Sequence, residues 1–515
     1  MDKGINRKSI IVVIIFCLMI GSAFILWPLF KNHMAEESVE NRNLAEHPTF
    51  SMETISEYPD QYETYLNDHL PFRSLMITAN SAIDYYAFHT SSNKDTVLGK
   101  DGWLFYNGDA TMAIYKGQRL YSEEQLATMA ANVQRTSDNL ARQGTKYVVM
   151  ICPEKERIYP EYMPDYYGEP AALNQLDQVV NYLKEHTTVP IVCPYDDLMK
   201  AKEEYPDRLL YYKTDSHWNE WGGYIATRAL YRELGLTWDK EDVTVSEEKD
   251  LPGDLVHTLS LRGLYDCGMN YKVTGFEREG TKAVLEPDFW GQWKYESPNA
   301  PYGSIFVQRD SFSTSIAPYI ENTFQKSDLV HQKSFKNEMI EENDPDIYVY
   351  ELVERSMDLI YGYHYNNLTC EWDINNYLDK LIKDKDMYSV FLTVNGDASE
   401  LVTPEIQAKL EELGCSMELS DMKDQSYAAV IYNGSCLEEG SAEAGQEVSF
   451  DGQLENGVTY AISSKGGKEG NSILSYDGAD YSMNQPGLNI LVYDNQHMVG
   501  VDACVLSEGS SLNRR

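Results

Sequence analysis

The chain has 515 residues, with 43 Lys and Arg against 81 Asp and Glu and a formal net charge of −38. That balance argues against nucleic acid as a partner, since its binding needs clustered basic side chains. It also disfavours a strongly polyanionic substrate unless a local basic patch compensates, and a neutral or partly cationic glycan suits it better, although solubility alone accounts for such a charge.

The length calls for two or more domains and allows sizeable cores. Lys3, Arg7 and Lys8 precede an uncharged stretch at residues 10–30. About 20 apolar residues span a bilayer, so 10–30 is expected to be a transmembrane anchor. The flanking cations put residues 1–9 in the cytoplasm and the remainder outside. A cleaved signal peptide competes with this reading. Its apolar region is usually shorter, and no small-x-small cleavage site follows Trp27-Pro28. Cys17 after Phe16 makes a poor lipoprotein site. In the extension at 31–93, Tyr58, Tyr62, Tyr65 and Leu66 recur at helical spacing and predict an amphipathic helix packed against the domain.

From about Val97 helices and strands alternate. A helical stretch near 125–142 leads into the apolar run 147–151. Residues 173–183 are again helical in period, 189–193 read as a short strand, and 221–234 as a helix. Apolar runs at 305–307 and 347–353 follow. Continuous runs suit a parallel sheet covered on both faces. Their alternation with helices suits a doubly wound α/β domain, expected over 94–365. In such sheets, sites lie at the carboxyl ends of strands.

The run 305–307 ends in the polar turn Gln308-Arg-Asp-Ser311, after which Ile316, Tyr319, Ile320 and Phe324 recur at helical spacing. A serine where a buried strand turns into a helix has its N–H and Oγ at the positive helix end, a place to stabilise an oxyanion. The plain alternative is that Asp310 or Ser311 only caps the helix. Asp215 and His217, two residues apart, face the same way in an extended segment. They supply the orienter and the base of a Ser-His-Asp unit whose nucleophile is Ser311. No third ligand is evident beside them and no C-x-x-C occurs, so neither a metal nor another cofactor is expected. Lys155, Tyr159, Arg309 and Arg355 are candidate substrate-binding residues, and each could equally be a surface charge or a packed ring. Gly253-Asp-Leu255 is a candidate loop near the pocket.

Thr214-Asp-Ser-His-Trp218 and Arg309-Asp-Ser-Phe312 together resemble the alginate O-acetyltransferase group of SGNH-hydrolase-like proteins. Other pieces fit in order: Glu40-Asn-Arg-Asn-Leu44, Asn67-Asp-His-Leu-Pro-Phe-Arg73, Gly99-Lys-Asp-Gly-Trp-Leu-Phe105, Pro153-Glu-Lys155 and Val353-Glu-Arg355. The resemblance implies a three-layer α/β domain with a parallel sheet. It also implies Ser311 as nucleophile, His217 as base and Asp215 as its partner. The Gly and Asn oxyanion donors of the SGNH pattern have no clear counterpart here.

Residues 366–386 are rich in Lys and Asp and read as a linker with a short helix. Beyond it, runs at 389–394, 427–432, 458–463 and 488–493, punctuated by Asn395-Gly396, Asn433-Gly434 and Gly466-Gly467, indicate a mostly β domain over 387–507. Ile406, Leu410 and Leu413 give it one helix, closed by Gly414. Leu410-Glu-Glu-Leu-Gly414, Asp480-Tyr-Ser482 and the stretch 487–494 resemble the interleukin-like EMT inducer domain, whose relatives bind carbohydrate. A spacer or dimerisation module is the alternative. Cys415, Cys436 and Cys504 fall here and could include a disulfide in an oxidising exterior.

The expectation is therefore a membrane-anchored, extracytoplasmic O-acetyltransferase working through an acetyl-serine on a cell-surface or secreted polysaccharide. The resemblance implies a multi-spanning membrane acyltransferase partner that supplies acetyl. An acetyl-esterase with the same triad and a non-enzymatic glycan-binding surface protein are the alternatives.

Overall fold

The computed structural model describes residues 10–18, 21, 44–52, 55–69, 73–285 and 287–514. Of the expected tail and anchor, residues 1–9, 19–20 and 22–30 lie outside the described residues. Residues 10–18 are helical, and among the described residues no helix is long and apolar enough to cross a membrane. The helix expected around Tyr62 runs Tyr58–Asp68, but it does not pack into the domain: none of its residues is buried. Its rings instead cover one another and His47 and Phe50.

The central sheet of the first domain and the helices that flank it are α1 (Glu123–Ala141), β1 (Lys146–Cys152), α2 (Gln175–His186), β2 (Ile191–Val192), α3 (Glu220–Leu234), β3 (Lys282–Ala283), β4 (Gln292–Glu296), β5 (Tyr302–Arg309), α4 (Ala317–Thr323), β6 (Phe324–His331) and β7 (Ile347–Val353). The strands form one sheet in the order β2-β1-β7-β5-β6-β4-β3. The pairings from β2 to β6 are parallel; β4 and β3 add antiparallel to one edge.

Successive side chains of a strand point to opposite faces, and both faces are covered. Val148, Met150, Ile305, Val307 and Val349 share one core with Ala226, Ala229 and Leu230 of α3. Tyr147, Val149, Ile151, Phe306, Tyr348 and Leu352 share the other with Leu126, Met129 and Val133 of α1 and Val179 and Leu183 of α2. That two-sided burial is why β1 and β7 read as nearly continuous apolar runs, Glu351 being the one acid within β7. The architecture expected of this part, α/β with a mostly parallel sheet, is present. Phe324, expected to close the helix after Ser311, instead opens β6.

The C-terminal part is a curled ten-stranded sheet with two helices on one face. In α5 (Ile374–Lys383), Ile374, Tyr377, Leu378 and Leu381 are buried, so residues read from composition as a linker contribute a stripe to this core. The central strand β8 (Tyr388–Gly396) sends Val390, Leu392 and Val394 toward α5 and α6 (Pro404–Leu413), and Phe391 into a second core inside the curl. β9 (Ser426–Tyr432) turns into β10 (Ser435–Ala442) through Asn433 and Gly434, both at positive φ (49° and 71°), as a two-residue hairpin requires. β11 (Gly487–Asp494) pairs with β8 from the other side. All eight cysteines are free, so the disulfide allowed for among Cys415, Cys436 and Cys504 does not form.

Candidate active site

The carboxyl end of β5 carries the first component. Asp310 follows the strand in extended geometry and caps a single 3-10 turn, Ser311–Ser315, by accepting a hydrogen bond from Phe312 N at 2.8 Å. The capping role falls to Asp310, which leaves the Ser311 hydroxyl free. Asp310 Oδ2 also accepts from Val353 N at 2.6 Å, tying the turn to the end of β7. Beneath it, Glu351 is fully enclosed and accepts from Asp310 N at 2.9 Å and Ser313 Oγ at 2.7 Å. Burial first, then the charge of Asp310, pushes the Glu351 carboxyl well above its ordinary range.

The second component is the loop 211–218, closed at its base by the bridge between Tyr211 and Trp218. Asn219 next caps α3 by accepting from Gly222 N at 3.0 Å. A Cβ on Gly223 would lie 2.3 Å from the Ser315 carbonyl oxygen, so only glycine lets α3 lie this close to the nucleophile turn. Trp218 Nε1 donates to Phe312 O at 2.9 Å, and the Phe312 ring sits 5.1 Å from the His217 ring.

Ser311 Oγ and His217 Nε2 are 2.7 Å apart, and His217 Nδ1 is 2.6 Å from Asp215 Oδ1. The three side chains expected to act together are thus one hydrogen-bonded line, although 94 residues separate His217 from Ser311. Asp215 Oδ1 also accepts from His217 N at 3.0 Å, and Oδ2 from Asp254 N at 2.9 Å. Burial alone pushes the Asp215 carboxyl up, but these hydrogen bonds and the imidazole hold it well below its usual range. For His217 burial acts downward, and the bond and charge of Asp215 overcome it, so its pKa is raised.

Asp254, which no local spacing links to the other two, is the addition. It accepts from Ser216 N at 2.8 Å and Ser216 Oγ at 2.5 Å, and its carboxylate lies 3.9 Å from His217 Nδ1. A Cβ on the preceding Gly253 would fall 2.5 Å from Asp215 Cβ. A third potential ligand, the Asp254 carboxylate, does therefore lie beside Asp215 and His217, and the three ligand atoms fall within 4.8 Å of one another. Those atoms are committed to hydrogen bonds with His217, Ser216 and Asp254 N, which a cation would have to displace. The candidate loop at 253–255 does border the site.

The four candidate pocket residues divide. Arg355 donates to both oxygens of Glu154 (2.7 and 2.9 Å), and its guanidinium lies over the rings of Tyr106 at 4.8 Å and Phe312 at 5.8 Å. It is close enough to His217 to oppose protonation there. Arg309 is fully buried, 3.6 Å over Trp293, and donates to Phe289 O at 2.7 Å; burial draws its pKa down to about 10. Tyr159 is a core ring whose hydroxyl accepts from Leu210 N at 2.9 Å. Lys155 is buried behind the loop 211–218.

Residues 96–276 match the family described as "SGNH hydrolase-like domain, acetyltransferase AlgX". The match is to an acetyltransferase domain. It holds Asp215, His217 and Asp254 and stops short of Ser311. The chain is 31% identical over 212 residues to a probable alginate O-acetylase AlgJ of Pseudomonas aeruginosa, covering 40% of this chain and 51% of that one. It is 26% identical over 323 residues to the protein of that name from Pseudomonas fluorescens, covering 57% and 76%. The chain thus spans about half the length of the first curated relatives it matches. Among solved structures, the O-acetyltransferase domain of Pseudomonas putida AlgJ aligns with a TM-score of 0.35 at 19% identity, over 54% of this chain and 95% of that one.

Proposed function

We propose that this chain is a membrane-anchored, extracytoplasmic O-acetyltransferase that moves an acetyl group onto a polysaccharide hydroxyl through an acetyl-Ser311 intermediate. The observation that carries this reading is the line Ser311–His217–Asp215, with contacts of 2.7 and 2.6 Å, at the carboxyl end of a strand. His217 Nε2 takes the Ser311 proton as Oγ attacks the acetyl carbonyl of the donor. Asp215 holds the proton on Nδ1 and stabilises the imidazolium. As first residue of its 3-10 turn, Ser311 has an N–H with no carbonyl behind it, free to meet the oxyanion. His217 returns the proton to the departing group. It then takes the proton of a sugar hydroxyl as that oxygen attacks the acetyl carbon, and returns it to Ser311 Oγ as the serine leaves.

Acetyl reaches the site, on this reading, from a multi-spanning membrane acyltransferase. The names of the curated relatives specify alginate. The −38 charge of this chain opposes a strongly polyanionic acceptor, so a neutral or partly cationic glycan is proposed instead. If the C-terminal β domain holds glycan, as its sequence likeness to the interleukin-like EMT inducer domain would imply, it would keep a glycan acceptor near the site.

The test is an incubation of the protein with an activated acetyl ester and a panel of anionic, neutral and cationic oligosaccharides, read by mass spectrometry. The peptide holding Ser311 should gain one acetyl, Ser311→Ala should not, and acetyl should pass to neutral or cationic glycans. Release of free acetate with every glycan left unmodified would make the enzyme an esterase. A folded Ser311→Ala protein that still acetylates glycan at the wild-type rate would refute the reading.

A further inference from the structure

Lys155 opens the short helix Lys155–Ile158 just past the end of β1 and is 1% exposed. A lysine serving substrate would carry its ammonium into the cleft, but this one turns inward. Nζ donates to the backbone carbonyls of Tyr212 at 3.1 Å, Lys213 at 3.4 Å and Asp215 at 2.6 Å. Nζ also lies over the rings of Trp103 and Phe105, 5.7 and 5.2 Å from their centroids. An ammonium has three donors and no acceptor. All three are spent on one short stretch of the loop that carries Asp215 and His217.

We propose that Lys155 is a positioning residue that ties the carbonyls of residues 212, 213 and 215 together and so fixes the Asp215 carboxylate against His217. This rests on reading Ser311, His217 and Asp215 as the working site. Asp215 is then gripped at both ends, its carbonyl by Lys155 and its carboxylate by His217 and Asp254 N. Without the ammonium, the carbonyls of Tyr212 and Asp215 lose a partner, while Lys213 O keeps the Leu104 N–H at 3.0 Å. The cheapest remedy is for the loop to swing them toward water, which carries Asp215 away from the imidazole.

The charges facing Nζ are Asp215, Asp254, Glu156 and Glu154, with Asp250 close by. Burial outweighs all of them and draws the ammonium down to about 8. The neutral amine has two donors for three carbonyls and turns a lone pair toward the third, so the clamp weakens as pH rises past that value.

Lys155→Met keeps the stem and removes the donors. The first readout needs no activity: the downfield proton resonance of His217 Nδ1–H, assigned by its loss in His217→Ala. In Lys155→Met it should move upfield or vanish, in a protein whose melting temperature stays close to wild type. Acylation of Ser311 by an activated acetyl ester should fall roughly 10- to 100-fold at unchanged KM, in line with the cost of about 1 Å of misplacement. The wild-type rate should decline above about pH 8, a limb absent from Lys155→Met. Lys155→Ala should be rescued by small alkylamines in proportion to their protonated fraction. A folded Lys155→Met with unchanged resonance and rate overturns the proposal. So does unfolding of both variants without amine rescue, because the residue then serves the fold and not the loop. A resonance that depends on Lys155 in a protein that never acylates would instead overturn the acetyltransferase reading and leave the positioning role standing.

Discussion

Replacing Glu351 with glutamine separates two accounts of the acid beneath the nucleophile turn. If its carboxyl is neutral in the fold, as burial and the neighbouring Asp310 charge imply, the amide is a close stand-in. Its oxygen still accepts from Asp310 N and Ser313 Oγ, and its NH₂ replaces the acid O–H. The expected cost is within about 1 kcal/mol, since each hydrogen bond is exchanged for one of its kind. Glu351→Ala instead orphans these two donors, at about 1–3 kcal/mol each, along with the Cys152 thiol that donates to Oε1 at 3.2 Å, and leaves a cavity besides. The pH dependence is sharper. The folded protein holds a proton that the unfolded chain gives up above its ordinary value of 4.5. Between that value and the raised folded one, the native state binds more protons, so rising pH costs stability. The limit is about 1.4 kcal/mol per pH unit. Glutamine removes this slope, so Glu351→Gln should gain on wild type as pH rises above 4.5. Urea melts of the three proteins across that range measure it. A glutamine variant as weak as alanine at about pH 5, or a difference from wild type that does not change with pH, would show that Glu351 is ionised in the fold.

Two further outcomes are expected. Acylation of Ser311 should fall on the acid side with a midpoint above 6.5, because Asp215 raises His217. Asp215→Asn should lower that midpoint and slow the reaction by about 10⁴-fold; an unmoved midpoint in stopped-flow acylation would remove Asp215 as the partner. Protease added to intact cells should digest the bulk of the chain, as Lys3, Arg7 and Lys8 ahead of residues 10–30 imply. Survival of the chain while an exposed control is cut would reverse the proposed topology.

What was legible in the sequence follows the range of the forces involved. β1 and β7 were readable because two-sided burial makes nearly every position apolar, Lys146 at the start of β1 and the enclosed Glu351 in β7 being the exceptions. β6 was not: Gln325 and Lys326 are exposed, and the buried Asp328 is tolerated because Gln292 donates to both its oxygens. Phe324 fits the last turn of a helix as well as the first residue of a strand, and strand pairing decided. The stripe of α5 hides among Asn, Asp and Lys, since four apolar residues suffice to bury one face. Asp215 and His217 were visible as a pair because their coupling is local. Asp254 approaches from 39 residues away, and Lys155 acts on main-chain carbonyls, which carry no residue identity.

The eight unpaired thiols bear on where such a chain can mature. Cys152, Cys267, Cys415 and Cys504 are enclosed by the cores, and burial pushes their pKa values up, to about 12 for Cys415. They are therefore held as protonated, slow-reacting thiols. With none of the eight cysteines paired, a reducing milieu breaks no disulfide in the folded protein. Its endurance in oxidising surroundings is then set kinetically, by how seldom local opening lets an oxidant reach sulfur.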